Sequence, residues 1–336
     1  MQFFKSLIFS ALVICCALVE IQADTPLNSD LQESQTNNIQ SNDVQGVPSQ
    51  LFAGGIYEKG CMAYNDKDWG RAVAAFVEFI HRYPNASMAN DARFYLGISY
   101  FELSDYEQAN KAFSAYLRDN CTPRYFEEAL RYKFCIAEKF RMGACKHLFG
   151  FKKLPQWVSA EKEALDIYDE IATTLPNDDI AVLSLYSKAV LLLQMCNFRE
   201  SAEEFQAVIR RFPRHPVAPA SYLGVSCCYL KESSLEANNP DLLALAILNL
   251  KKFRNDFPGD PRIEVVEQQF CQIEELYASG FYEMAQFYER TEYFHAAYIY
   301  YATTVREFPG TSYARLAREK IEEWQILFGP KSPIRD

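Results

Sequence analysis

Residues 60–84 read GCMAYNDKDWGRAVAAFVEFIHRYP, and residues 97–121 read GISYFELSDYEQANKAFSAYLRDNC. The two stretches share one plan. A small residue (Gly60, Gly97) is followed by an aromatic (Trp69, Tyr106), then an alanine (Ala72, Ala109). Four positions later stands a phenylalanine (Phe76, Phe113), and twelve positions after the alanine comes a closing residue (Pro84, Cys121). Residues four apart share one helix face, so the alanine lets a neighbouring helix approach while the aromatic fills the remaining space. Proline then stops the helix, because it lacks an N–H and clashes with the preceding turn. The pattern predicts two antiparallel helices per stretch.

The plan continues through Ala164/Tyr168/Pro176, Ser201/Phe205/Pro213, Ala246/Leu250/Pro258 and Ala297/Tyr301/Pro309. A bulky apolar residue precedes the small one by three at Trp69, Tyr106, Phe198, Leu243 and Phe294, with Glu161 as the departure. Earlier helices open on Gly60, Gly97, Ala189, Gly224 and Ala285. A hairpin of this kind covers its apolar face only with the next hairpin, which makes a solenoid. The Gly, Tyr, Ala, Tyr/Phe, Ala and Pro positions resemble the tetratricopeptide repeat (TPR). The expected fold is an all-α, right-handed TPR solenoid of about six hairpins, over residues 53–328. Its units are 53–88, 89–124, 125–180, 181–216, 217–262 and 274–313, with a capping helix over 314–328 and a tail over 329–336. The third unit carries an insertion over 143–159, and the fifth a shorter one over 231–240.

Ahead of the repeats, Lys5 is followed by an apolar run from Leu7 to Val19 broken by Ser10, too short to span a bilayer comfortably. Residues 1–23 read as an export signal. Cleavage after Ala23, lipid attachment at Cys15 or Cys16, and retention as an anchor are all open readings. Residues 24–52 are polar and form an expected tether.

The chain has 336 residues, with 34 Lys and Arg against 44 Asp and Glu, a formal net charge of −10. Such a surface repels phosphate backbones, which excludes nucleic acid as a partner. Four His residues stand isolated, and no HExxH, GxSxG or phosphate-binding glycine loop occurs. No catalytic, metal or cofactor site is expected, and the chain reads as a non-enzyme. The eight Cys beyond the signal include no CxxC pair. Most are expected to be small core residues. In an oxidising compartment, Cys135–Cys145 is the first disulfide expected.

In a TPR solenoid, the residues three before, one after and four after the glycine face the concave side. Those places hold Tyr57, Cys61 and Tyr64, then Phe94, Ile98 and Phe101, then Arg131, Cys135 and Glu138. Aromatic rings followed by Arg131 suit an extended peptide with aromatic side chains and a terminal carboxylate. The alternative reading is that the rings pack against neighbouring helices.

Signal, tether, TPR units and third-unit insertion together resemble the TPR lipoprotein of the bacterial β-barrel assembly machinery, the BamD (ComL-type) family. The sharpest likeness is Glu283-Met-Ala285-Gln-Phe-Tyr288-Glu-Arg290, followed by Tyr293-Phe-His-Ala-Ala297 and Arg306-Glu-Phe-Pro309. The resemblance implies a periplasmic scaffold at the inner face of the outer membrane, without a cofactor. It also implies that Tyr57, Tyr64, Phe94 and Phe101 face unfolded β-barrel proteins. Tyr282, Gln286 and Arg290 would then dock the barrel-inserting subunit through its periplasmic repeat domains. A different periplasmic TPR adaptor, acting in envelope division or peptidoglycan coordination, is the alternative.

Overall fold

The computed structural model describes residues 47–118, 123–147, 156–236 and 239–328. The export signal with Cys15 and Cys16, most of the tether, Cys121, the centre of the 143–159 insertion and the tail lie outside the described residues. Thirteen helices are present among them: α1 Val47–Asn65, α2 Trp69–Arg82, α3 Ala89–Glu102, α4 Tyr106–Arg118, α5 Phe126–Arg141, α6 Glu161–Thr174, α7 Asp179–Gln194, α8 Phe198–Arg211, α9 Ala218–Leu235, α10 Pro240–Asp256, α11 Arg262–Arg290, α12 Phe294–Glu307 and α13 Ser312–Phe328. The architecture is all-α, built from helical hairpins of the tetratricopeptide kind. The chain divides into two compact units, one up to Leu103 and one from Ser104.

The repeated positions of the sequence acquire physical roles. Trp69, Tyr106, Glu161, Phe198 and Phe294 are each the first residue of their helix. The small residues Ala72, Ala109, Ala164, Ser201 and Ala297 have no exposed surface. Their aromatic partners Phe76, Phe113, Tyr168, Phe205 and Tyr301 are at most 1% exposed, which removes some 2–3 kcal/mol worth of apolar surface from water at each site. Helices α2, α6, α8, α10 and α12 end at Arg82, Thr174, Arg211, Asp256 and Glu307, each two residues before its proline. The residue before proline is pushed out of the helical region, which fixes that distance.

The turns inside the hairpins repeat as well. Lys67, Ser104, Cys196 and Glu292 hold φ of 56, 59, 63 and 64°, in the left-handed region. At three of these turns the bonds are complete on both sides of that residue. Lys67 N–H donates to Tyr64 O and Asp68 N–H to Ala63 O; Cys196 N–H to Leu193 O and Asn197 N–H to Leu192 O; Glu292 N–H to Glu289 O and Tyr293 N–H to Tyr288 O. This is the Schellman closure, which satisfies the last carbonyls of the helix. Cys196 is thus an exposed turn residue, and the expectation of a core role does not hold for it.

Two other expectations are corrected, and the insertion gains a structure. Helix α1 starts at Val47, inside the stretch expected as tether, with Pro48 in its first turn, where the missing N–H costs nothing. The third-unit insertion contains two strands, β1 Cys145–His147 and β2 Gln156–Ser159, paired antiparallel with Cys145 opposite Ser159. The Cys135–Cys145 bond is absent: Cys145 is a free thiol whose Sγ lies 3.5 Å from Gly143 O.

In the second unit, α11 runs unbroken for 29 residues through 263–273, which the repeat pattern left unassigned. Val266, Gln269, Ile273 and Tyr277 keep one buried stripe along it, so the helix needs no turn there. It packs with α9, α10, α12 and α13. Helix α13 covers the last hairpin: Trp324 meets Tyr301 and Phe294 edge-on at 5.7 and 5.8 Å. Its first turn is tied back to α11, where Glu275 accepts from Ser312 N–H at 2.7 Å and Ser312 Oγ–H at 2.9 Å.

Candidate functional site

Within the first unit, the residues of α1 and α3 expected to face the concave side pack with α2 in an aromatic layer. Tyr57 meets Phe79 at 5.4 Å and Phe76 at 6.1 Å, both on α2. Tyr64 meets Trp69 at 5.4 Å and Tyr95 at 5.1 Å. Tyr95 in turn stacks on Phe76 at 6.1 Å and 21°, and meets Phe94 at 5.7 Å. Tyr57, Tyr64 and Phe101 are half-buried. Edge-to-face rings of this kind hold one another's orientation beyond their area burial. Cys61 sits 7% exposed between the two α1 tyrosines, and burial pushes its thiol up to about 11. It is a small apolar filler and not a nucleophile.

Phe94 and Ile98 depart from the expected groove surface, with only 5% and 6% of their area exposed. Nine of the fourteen residues of α3 are buried, on every side of the helix. A side chain at a position expected to face the concave side is therefore not automatically open.

Among the second-unit positions, Arg131 is open: its side chain is 58% exposed and lies 3.9 Å from Glu127 one turn back. Glu138 is committed internally. It accepts from Arg141 Nη2 at 2.5 Å and from Tyr168 Oη at 2.6 Å, and the Arg141 side chain is 4% exposed. Burial alone would raise the Glu138 pKa. The Arg141 guanidinium and the Tyr168 and Ser187 hydroxyls outweigh it and hold the carboxyl below its ordinary value. One turn earlier, fully buried Lys133 donates to Glu170 at 2.5 Å and to Ser114 Oγ at 2.8 Å. Burial lowers the pKa of Lys133, and Glu170 partly restores it. These ions tie α4, α5 and α6 together instead of addressing solvent.

The three residues expected to dock a partner lie on α11 near its end. Tyr282 is 8% exposed and packs against Tyr301 at 5.3 Å and Tyr313 at 5.6 Å, so it belongs to the core. Gln286 and Arg290 are exposed one and two turns further on. Sequence reading missed the apolar residues beside them, Met284 at 42% and Phe287 at 50% exposed. The signal was present: Met284 and Phe287 each lie two residues, or roughly 200° around the helix, from Tyr282 and Ala285, on the face away from that core.

Residues 51–133 match the model of the family described as YfiO, outer membrane lipoprotein. A comparison with curated proteins gives no match. Among solved structures, YrrB, a TPR protein with an unusual peptide-binding site, is similar at 15% identity and a TM-score of 0.35, over 64% of this chain and 92% of that one. A tetratricopeptide repeat protein from Parabacteroides merdae is similar at 11% identity and a TM-score of 0.35, over 80% of this chain and 97% of that one. No described helix is long and apolar enough to cross a membrane.

Proposed function

We propose that this chain is a non-enzymatic scaffold of the bacterial envelope, held at the inner face of the outer membrane, that assists folding and insertion of β-barrel proteins. The observation that carries the reading is the match of residues 51–133 to the outer membrane lipoprotein family, over helical hairpins. The resemblance of 283–309 to the last repeat of BamD-type proteins supports it from the other end of the chain.

In this reading the first repeats hold an unfolded barrel segment. In the first unit Tyr57, Tyr64 and Phe101 are its contact residues, with Phe94 and Ile98 supporting the layer from within; Arg131, exposed in the second unit, is proposed as a separate contact. Gln286 and Arg290, joined by Met284 and Phe287, dock the barrel-inserting subunit, with Tyr282 holding the helix in place. The mechanism is avidity: several weak contacts together keep an extended chain beside the insertase without any covalent step. Lipid attachment at Cys15 or Cys16 would supply the membrane contact.

Fluorescence anisotropy with a labelled peptide copying one amphipathic strand of an outer-membrane barrel tests the reading. Saturable binding that falls in the Tyr57→Ala plus Tyr64→Ala variant supports it. Equal binding of a scrambled strand peptide overturns it.

A further inference from the structure

The outer face of α10 departs from the rule of its sister helices. Counted from the small residue of each repeat, one pair of surface places holds Glu163 and Asp166 on α6, and Glu200 and Glu203 on α8. On α10 the same two places hold Leu245 and Leu248, which are 41% and 48% exposed. Ala244 beside them is exposed as well. A single exposed leucine is ordinary, but two of them where the sister helices carry carboxylates make an apolar stripe.

The stripe ends in opposite charges. Asp241, Leu245, Leu248 and Lys252 follow one another at intervals of four, three and four, which keeps all four within a narrow arc of the helix. Asp241 and Lys252 are exposed, and among the described ion pairs neither has a partner, whereas the nearby Arg254 is paired with Glu267 at 2.7 Å. An acid at the start and a base at the end suit the helix dipole. The leucines between them do nothing for a single copy of the chain.

Such a stripe is its own complement. The pairs Leu245/Leu248 and Asp241/Lys252 share one midpoint along the helix. A second α10, turned end for end about a two-fold axis through that midpoint, therefore sets Leu245 against Leu248 and Asp241 against Lys252, each contact formed twice. A parallel pairing would set Asp241 on Asp241 and Lys252 on Lys252, which like charges oppose.

We propose that this face binds a second copy of the chain: two α10 helices pack antiparallel, with four leucines at the centre and two Asp241–Lys252 ion pairs at the ends. One face of a 17-residue helix falls short of the roughly 800 Å² per partner of a standard interface, so the dimer is weak, with a Kd of about 100 μM. The proposal goes beyond the barrel-assembly reading, and none of its residues is a contact in that reading.

Sedimentation velocity of the full chain from about 10 μM to about 1 mM tests it, and the average mass should climb from monomer toward dimer over that range. Leu245→Glu plus Leu248→Glu, which puts back the carboxylates of the sister helices, should weaken association by about tenfold or more and leave the helical signal unchanged. Asp241→Lys alone and Lys252→Asp alone should each weaken it by about tenfold, since each brings two like-charge contacts. An equimolar mixture of those two variants should dimerise as well as the parent, because both contacts are then opposite in charge. A chain that stays monomeric throughout overturns the proposal. So does a dimer that the leucine variant leaves within about twofold of the parent, or a mixture no better than its components. Flotation of the monomer with phosphatidylglycerol vesicles, abolished in the leucine variant, would also overturn it, since the face would then meet a lipid surface.

Discussion

Gly60 presses against Phe76 so closely that a Cβ at residue 60 would stand 2.7 Å from the phenyl ring. The same contact recurs in the second unit, where a Cβ on Gly224 would stand 2.6 Å from Phe205. The expectation that these glycines open their helices does not hold, since Gly60 lies inside α1 and Gly224 inside α9. Gly60 takes the ring of α2, the helix after it in the same hairpin, whereas Gly224 takes the ring of α8, the helix before it.

Gly60→Ala and Gly224→Ala should therefore destabilise by about 1–3 kcal/mol, the strain of overpacking exceeding the gain in helix propensity. Gly55→Ala, where a Cβ meets nothing within 4 Å, should stabilise by up to about 1 kcal/mol. Chemical denaturation of the three variants checks the difference in sign.

Cys196 and Glu292 occupy the left-handed turn position at φ of 63 and 64°. A β-carbon there costs about 1–2 kcal/mol, so Cys196→Gly and Glu292→Gly should each raise stability by about 1 kcal/mol, less the extra freedom glycine gives the unfolded chain. Thermal unfolding followed by circular dichroism reads it directly.

The Glu138 carboxyl titrates below its ordinary value in the folded chain. The stability that this lowering contributes is present above the unfolded pKa of about 4.3 and is lost as pH falls through the folded value. Glu138→Gln should remove that part of the acid limb and flatten stability against pH between about 5 and 3. At pH 7 the variant should be weaker by about 3–5 kcal/mol, because Arg141 is left buried without its counter-charge.

Lys133 and Glu170 give a sharper contrast. Lys133→Met should be neutral or stabilising by about 1–4 kcal/mol, since an apolar side chain of similar volume needs no ion partner. Glu170→Ala should cost about 3 kcal/mol, because Lys133 has no exposed surface and is left charged in the interior. A double-mutant cycle on urea midpoints separates the two.

The repeat grammar is legible in the residues alone, because small and aromatic residues four apart and a proline two beyond the helix end are local requirements. The insertion strands are not, since Cys145–His147 is too short to show an alternation. Nor is the unbroken α11, where Val266 and Ile273 continue the stripe across a gap between two repeats. The candidate contacts are only half legible, for one reason. Position in the repeat says which way a side chain points, whereas neighbouring rings decide whether it stays open. Phe94 and Tyr282 are the two cases, and Phe94→Ala should cost about 3–5 kcal/mol of stability, as the loss of a core ring does.

The most direct measurement is a photo-crosslinking residue placed at Gln286 in the full-length chain in intact cells, followed by pull-down. The account predicts an adduct with a large β-barrel protein that carries periplasmic repeat domains. Recovery of only division or cell-wall proteins through the same residue would contradict it.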